Sequence, residues 1–284
     1  MEAITFTSEG YVLSGALFDA DASGPAVVVL CHGAFERKEN WFPYARQLAE
    51  EGLAAFVFDF IGHGASEGLR GTVDMHVWAY NIRDALTCLG VRGYQYFGLV
   101  GWGSGGTAIV LAAAHDHRVR CGVALAAPVC ITPSLSSRVV LSLAAGVSKI
   151  KQILWKRPLT LSRTRELDTM RVAVDDDVNS RYIADPNLRA HLQAVPVRES
   201  LDSVWCDITR GAQKVKLPFF VMHGSEDTMC PLKQSQSLYV AVQGPKELRV
   251  IENSGHAIHL DGQRDVAYEL MAQWLKKYLL WPAR

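Results

Sequence analysis

Short apolar runs and segments of helical periodicity alternate along most of the chain. Residues 3–19 alternate between apolar and polar positions, which predicts two antiparallel strands joined by a turn at residues 8–10. Buried strands and helices then alternate over residues 26–126 and again over residues 217–280. Because strands separated by helices pair in parallel, this pattern predicts an α/β protein with a mostly parallel central sheet flanked by helices.

The individual elements follow from these periods and from the residues that punctuate them. A loop of small residues at 21–24 precedes the first buried strand, Gly52 ends the first helix, and Pro128 closes a strand. Strands are predicted at residues 4–7, 12–18, 26–30, 53–60, 97–100, 121–126, 217–222 and 248–251. Helices are predicted at residues 41–51, 73–89, 107–114, 232–242 and 264–280.

The alternation stops between residues 131 and 215, where the chain becomes helical and polar. We predict that this stretch is a helical cap inserted over the edge of the sheet, so that residues 1–130 and 216–284 form the core. The alternative is a solvated side domain with no role at the site.

One helix of the predicted cap is apolar around much of its girth and is therefore expected to be buried. Both the protein core and an acyl-chain tunnel could bury it. The neighbouring cations Lys149, Lys151, Lys156 and Arg157 leave weak contact with a membrane surface as a third reading. The apolar residues are Leu135, Val139, Val140, Leu141, Leu143, Val147, Ile150, Ile153, Leu154 and Trp155.

Composition limits the classes of function that need to be considered. The chain has 284 residues, of which 49% are hydrophobic, and equal numbers of basic and acidic side chains give it a formal net charge of zero. A general nucleic-acid binder would carry a basic excess, so we expect no nucleic-acid partner. The first residues lack the pattern of a signal peptide, and no apolar run reaches the roughly 18 residues of a membrane span.

The six cysteines are scattered without a C-x-x-C pair, which indicates reduced, buried thiols, a cytoplasmic location and no zinc site. Nothing in the sequence calls for a cofactor, and it does not indicate the oligomeric state.

The most informative stretch covers residues 96–114, where an apolar strand enters a turn rich in glycine and leaves it as a buried helix. A strand, a sharp turn and a helix form the context of a nucleophile elbow, G-x-nucleophile-x-G. Gly101 and Gly105 satisfy its flanks and place Gly103, which has no side chain, at the nucleophile position. Shifting the register by one makes Ser104 the nucleophile, but Trp102 then occupies a position where the turn requires a small residue.

Three further motifs follow predicted strands, as the elbow does. His32-Gly33-Ala34 comes before the elbow, while His223-Gly224-Ser225-Glu226-Asp227 and Ser254-Gly255-His256 come after it. The carboxyl ends of parallel strands meet at one edge of a sheet, so we expect these motifs to meet there. Nucleophile, acid and histidine also stand in the chain order of the α/β-hydrolase triad.

These motifs make the chain resemble the α/β-hydrolases over its whole length, and most closely the monoacylglycerol lipases, lysophospholipases and serine aminopeptidase-like hydrolases. Two further segments carry the resemblance, the D-x-x-G-H-G-x-S sequence at residues 59–66 and Tyr-Ile-Ala-Asp-Pro at residues 182–186. The resemblance implies the α/β-hydrolase fold, no cofactor, and a small acyl ester as substrate.

The resemblance also implies roles for individual residues. His256 is the general base, and Asp227 orients it. Ala34 donates one backbone N–H to the oxyanion and Ser104 donates the other, a role that passes to Gly105 in the shifted register. Within the same motifs, Phe35 and Trp102 are expected to bind substrate, while His32, Gly33, His63 and Ser66 shape and brace the loops.

Two neighbours rival the proposed acid and base. Glu226 adjoins Asp227, but the family's G-x-x-D spacing selects Asp227. His259 follows His256 by three residues and is expected to begin the last helix or to pack on the surface.

The chain departs from this family at Gly103, where the family carries serine. An engineered knockout, a natural loss of covalent catalysis, and a distorted turn that brings in Ser104 all remain open. The sequence therefore predicts a serine-hydrolase-type carboxylic-ester hydrolase that is impaired at its nucleophile. The alternatives are a non-hydrolytic ligand-binding protein and a lyase or decarboxylase that uses His256 as its base.

Overall fold

An eight-stranded sheet crosses the molecule in the computed structural model, which describes residues 1–20 and 24–280. The strands are β1 (Glu2–Ser8), β2 (Tyr11–Phe18), β3 (Ala26–Cys31), β4 (Ala54–Phe58), β5 (Tyr96–Trp102), β6 (Val119–Leu125), β7 (Phe219–Gly224) and β8 (Lys246–Ile251). Their order in the sheet is β1-β2-β4-β3-β5-β6-β7-β8, with β1 and β2 antiparallel to their neighbours and the other strands parallel. This confirms the predicted α/β-hydrolase fold.

Helices cover both faces of the sheet because the side chains of a buried strand point alternately to either side. The helices are α1 (Phe42–Glu50), α2 (Met75–Val91), α3 (Ser104–Ala113), α4 (Leu135–Trp155), α5 (Asp176–Ala184), α6 (Pro186–Gln193), α7 (Thr209–Ala212), α8 (Leu232–Ala241) and α9 (Arg264–Leu279). Val27 and Val29 of β3 belong to one buried cluster with residues of α2, α3 and α8, whereas Val28 and Leu30 belong to another with residues of α1 and α9.

Most predicted boundaries lie within two residues of the observed ones. The largest difference is at α3, which begins at Ser104 and not at residue 107, because Gly103 turns the chain within a single residue. The predicted loop at residues 21–24 lies outside the described residues except for Gly24.

The inserted segment between β6 and β7 carries α4 to α7. Two short antiparallel bridges fasten it, Cys130–Ile131 with Cys206–Asp207 and Thr160–Leu161 with Val195–Pro196. The boundary of a separate cap at residues 131–215 stays a prediction.

The expectation that the apolar helix of this segment is buried is wrong. Ser148 is the one buried residue of α4, and most of the helix's large apolar side chains are more than half exposed. None of its residues lines the cavity at the sheet edge, so the helix closes no acyl-chain tunnel there. Within residues 1–20 and 24–280, no helix combines the length and apolar content that crossing a bilayer requires.

Candidate active site

The turn between β5 and α3 places Gly103 at the edge of the sheet with a positive φ of 53° and a ψ of −123°. Its flanks must be glycine. A Cβ on Gly101 would stand 2.5 Å from the carbonyl oxygen of Gly105, and a Cβ on Gly105 would overlap the carbonyl oxygen of His32. A Cβ on Gly103 itself would meet only the Nε2 atom of His256, at 3.6 Å. Gly103 therefore leaves open the space that a nucleophilic side chain would fill.

Asp227 and His256 form a hydrogen-bonded pair beside that space. Nδ1 of His256 donates to Oδ2 of Asp227 over 2.7 Å, which leaves Nε2 with a lone pair facing Gly103. The Asp227 side chain is inaccessible to solvent, and its Oδ1 accepts the N–H groups of Met229 and Cys230 at 2.8 Å each. Burial alone would raise the pKa of Asp227, but the hydrogen bonds from His256 and from the N–H of Cys230 hold that pKa below its usual value. The rival Glu226 is exposed and accepts a hydrogen bond from Ser225.

Two backbone N–H groups flank the open space. Those of Ala34 and Ser104 have no hydrogen-bond partner within the part of the chain that the structure describes, and both residues line the cavity. Ser104 is the first residue of α3, where an N–H has no partner inside the helix. An oxyanion at this position could accept hydrogen bonds from both groups.

Histidines brace the loop that carries Ala34, as the motifs predict. Nε2 of His63 accepts the N–H of Phe35 at 3.1 Å, and Nε2 of His32 accepts the N–H of Phe60 at 3.0 Å. Their Nδ1 atoms donate to the carbonyls of Ile61 and Gly33, so both rings are neutral. Burial lowers the pKa of His32, and it lowers the pKa of His63 well below its usual value.

Trp102 connects the elbow to the loop that carries His256, which we call the histidine loop. Its indole Nε1 donates to the carbonyl oxygen of His256 over 2.7 Å, and its ring centroid lies 5.0 Å from that of His256. Trp102 and Phe35 both line the cavity, and their contact with a substrate stays a prediction.

Other nucleophiles near the open space are poorly placed or unreactive. Ser104 lines the cavity, but its hydroxyl makes no hydrogen bond to His256 among the described residues. Cys230 also lines it, and burial raises the pKa of that thiol to about 12, so little thiolate forms at neutral pH. All six cysteines are free, and Cys88 and Cys130 are only half-buried where the sequence indicated burial.

His259 is neither on the surface nor at the start of a helix, so its prediction is wrong. It is 1% exposed, and its ring stacks on Trp41 with centroids 4.4 Å apart. Its Nε2 lies 3.5 Å from the buried carboxylate of Glu36, and α9 begins five residues later, at Arg264. The ring supports the site from behind Trp102, whose centroid is 4.9 Å away.

Asp261 is a positioning residue that the sequence analysis missed. Its carboxylate accepts the N–H groups of Gly255 and Gly262 on the histidine loop and of Val174 and Asp175 on the inserted segment, at 2.7 to 3.2 Å. Burial opposes the charge, but these four N–H groups hold the pKa of Asp261 below its usual value. No sequence motif marks it, because a carboxylate that caps backbone groups can stand in many contexts.

A cavity of about 630 Å³ lies over Gly103 and His256, with walls from both the sheet edge and the inserted segment. Most of its side chains are apolar, among them Met170, Leu188 and Leu192. Arg163 and Glu166 line it as an ion pair, with nitrogen and oxygen 2.7 Å apart. Among the residues of the described ranges, no cluster of three or more His, Cys, Asp or Glu is arranged to hold a metal ion.

Known proteins resemble this chain in sequence and in fold. Residues 23–263 match the family described as serine aminopeptidase, S33. Human monoglyceride lipase is 30% identical over 241 residues, which cover 82% of this chain and 76% of the human protein. The monoacylglycerol lipase of Mycolicibacterium smegmatis is 23% identical over 92% of this chain and 91% of its own.

Solved structures agree on the fold. The α/β-hydrolase GrgF from Penicillium superposes with a TM-score of 0.84 at 22% identity and covers 99% of each chain. The monoacylglycerol lipase of Paleococcus ferrophilus gives 0.73 at 21% identity, over 98% of this chain and 100% of its own. The chain belongs to the serine aminopeptidase S33 family and is an α/β-hydrolase of the monoacylglycerol lipase type.

Proposed function

We propose that the chain binds acyl esters and hydrolyses them slowly, with water in place of the missing serine. The observation that carries this proposal is the direction of His256. Its Nε2 atom faces the vacant position at Gly103, with a buried Asp227 behind it. A base and two unpaired N–H groups line one cavity, with the acid buried behind the base, so what is missing is the nucleophile alone.

The chemistry that these groups support is general-base hydrolysis. A water between Gly103 and His256 gives a proton to Nε2 as its oxygen attacks the ester carbonyl. The N–H groups of Ala34 and Ser104 stabilise the oxyanion, and Asp227 stabilises the imidazolium. When the tetrahedral intermediate collapses, His256 returns the proton to the leaving alcohol, and the products are a carboxylic acid and an alcohol. In triad enzymes the residual acceleration without a nucleophile is about 10³-fold.

The substrate class is proposed from the cavity and from the relatives. A volume of about 630 Å³ with mainly apolar walls fits a ligand the size of a monoacylglycerol. Two relatives are named as monoacylglycerol-cleaving lipases, which supports the same class. Six free thiols support a reducing location such as the cytoplasm.

A second candidate is a ligand-binding protein without catalysis, which the absence of a side chain at Gly103 favours. In that case the cavity would bind an ester and release it unchanged. A lyase or decarboxylase that uses His256 as its base is compatible with the same absence.

Hydrolysis of p-nitrophenyl esters of several chain lengths tests the proposal. We expect weak turnover by the chain, a gain of up to about 10⁶-fold in kcat for Gly103→Ser, and no change for Ser104→Ala. A fluorophosphonate, which labels activated serines, should label the Gly103→Ser variant and not the chain itself. Labelling that disappears with Ser104→Ala would establish the shifted register. Ester binding without turnover in any variant would exclude the hydrolase and favour the ligand-binding protein.

A further inference from the structure

Two charged side chains lie in the wall of a cavity that is otherwise mainly apolar. Arg163 and Glu166 follow α4 on the inserted segment, and both line the cavity over Gly103 and His256. An ion pair that is partly exposed to solvent contributes little to stability, so the fold alone does not account for it. Ligand cavities, in contrast, use a small number of polar groups to orient the molecule that they bind. The pair therefore has the position of a recognition group.

The guanidinium of Arg163 has more donors than the protein uses. An arginine carries five N–H groups in one plane. Nε and Nη2 donate to the two carboxylate oxygens of Glu166, at 2.7 and 2.9 Å, and Nη1 donates to Oγ of Ser203 over a long 3.4 Å. Two N–H groups, one on Nη1 and one on Nη2, are left without a partner among residues 1–20 and 24–280. A bound acceptor could take both.

The surrounding contacts hold this cation beside the loop that carries Ala34. The Cζ atom of Arg163 is 5.8 Å from the ring centroid of Phe35, which follows the proposed oxyanion donor directly. The backbone N–H of Arg163 donates to the carbonyl oxygen of Leu192 at 2.7 Å and fixes the residue against α6. Its bidentate contact with Glu166 orients the plane of the guanidinium. The free donors are thus positioned before a ligand arrives, which lowers the cost of binding.

No other side chain in the described part of the wall offers the same chemistry. Arg163 is the one lysine or arginine among the residues that line the cavity there. Gln234 also lines it, but its Oε1 accepts the N–H groups of Val129 and Cys130, and its Nε2 donates to the carbonyl oxygen of Cys130. A negatively charged group in the cavity would therefore bind at Arg163.

We propose that Arg163 binds a carboxylate that the ester carries in addition to its ester bond. Donors on the two terminal nitrogens of a planar guanidinium can meet the two oxygens of a carboxylate. Glu166 leaves the pair without net charge, so a dianionic phosphate is repelled more strongly than a singly charged carboxylate. That this carboxylate belongs to a substrate rests on the proposed function, whereas its binding in the cavity does not.

Matched pairs of small esters test the proposal by isothermal titration calorimetry on the unchanged chain, in which turnover is slow. Monomethyl suberate is compared with dimethyl suberate, and ω-acetoxyhexanoate with its methyl ester. The first pair places the carboxylate on the acyl side of the ester bond, and the second places it on the alcohol side. In at least one pair we expect the charged ester to bind at least tenfold more tightly, through charge-assisted hydrogen bonds to Arg163.

Substitutions of the ion pair separate recognition from support of the fold. Arg163→Gln should reduce the preference for the charged ester to less than about twofold and leave the uncharged ester unaffected. Glu166→Gln should strengthen binding of the charged ester by about tenfold, because it frees donors of Arg163 and removes a repelling charge. A pair that only supported the fold would weaken the binding of both esters in both variants. Circular dichroism verifies that each variant is folded.

Arg165→Gln is the matched control. It removes an exposed cation two residues from Arg163 that does not line the cavity. Its affinity for both members of each pair should equal that of the unchanged chain. Arg163→Lys keeps the charge without the planar arrangement of donors, and it should retain only part of the preference.

Equal affinity for the charged and uncharged members of both pairs would overturn the proposal. A preference that survives in Arg163→Gln, or weaker binding of the charged ester in Glu166→Gln, would overturn it as well. Failure of every ester to bind would remove the cavity as an ester site and this proposal with it. Binding of the charged ester that depends on Arg163, without hydrolysis in Gly103→Ser, would instead overturn the proposed hydrolysis and leave the carboxylate site.

Discussion

The elbow at Gly103 and the helix α4 are both rich in small and apolar residues, but their surroundings are opposite. At the elbow, the added Cβ of either flanking glycine would run into backbone oxygen. In α4, Gly146 has nothing within 4 Å of the position that its Cβ would occupy. Apolar periodicity thus predicts which residues share a face of a helix. It does not predict whether other residues of the same chain bury that face.

The largest effect is expected at the acid–base pair of the elbow region. In a Gly103→Ser background, Asp227→Asn should lower kcat by about 10⁴-fold, because the amide no longer holds His256 in the tautomer that accepts a proton. Ester hydrolysis under saturating substrate measures it. The exposed neighbour Glu226→Gln is the control and should leave kcat unchanged. A large loss of kcat in Glu226→Gln and none in Asp227→Asn would show that Glu226, and not Asp227, is the acid.

Crowding at the elbow predicts the next effect. Gly105→Ala should lower the free energy of unfolding by about 3 kcal/mol, because its Cβ overlaps backbone that cannot move independently. Urea unfolding followed by circular dichroism measures the change. A loss below about 1 kcal/mol would mean that the turn is looser than its contacts indicate.

Acid should weaken the loops of the core through their neutral histidines. Burial places the pKa of His32 and of His63 below that of an unfolded histidine, about 6.5. Below that pH the unfolded chain binds more protons, so stability is fully present above it and falls as the pH falls. Each such histidine contributes a slope of about 1.4 kcal/mol per pH unit in that window.

Unfolding free energies between pH 7.5 and 5 measure that slope. His63→Asn should be less stable at neutral pH but lose stability less steeply on acidification. The helix α4 carries no histidine, so Leu143→Gln/Ile150→Gln should keep the slope of the parent. An unchanged slope in His63→Asn would contradict the neutral assignment of this ring.

The smallest expected effect is a gain in stability from a substitution in α4. Gly146→Ala should raise the free energy of unfolding by about 0.5–1 kcal/mol, since alanine restricts the unfolded chain and has room in the helix. Urea unfolding of Gly146→Ala and of Gly105→Ala under the same conditions compares the two changes in stability directly. A destabilised Gly146→Ala would show that α4 is covered in solution, for example by a second copy.

Much of the core could be predicted from sequence because each signal there has one structural solution. A β-branched run such as residues 26–30 has to be buried on both faces, and glycines at positions 101 and 105 fit only a turn with close backbone contact. Asp227 could be selected over Glu226 through the G-x-x-D spacing of the family that the chain resembles. The structure puts the Asp227 carboxylate against His256, in accord with that choice.

The remaining features depend on partners that sequence spacing does not reveal. His259 looked like a surface residue because neither Trp41 nor Glu36, which bury it, is near it in the chain. Asp261 is recognisable only from the four N–H groups that surround it. The exposure of α4 could not be predicted, because an apolar stripe has the same spacing whether protein, lipid or water lies beside it.

The carboxylate of Asp261 restricts how the inserted segment can move. Residues 174 and 175 cannot swing away from the histidine loop without stripping hydrogen bonds from a buried charge. Such a charge is costly to leave unpaired, so residues 174 and 175 stay tied to the loop that carries His256.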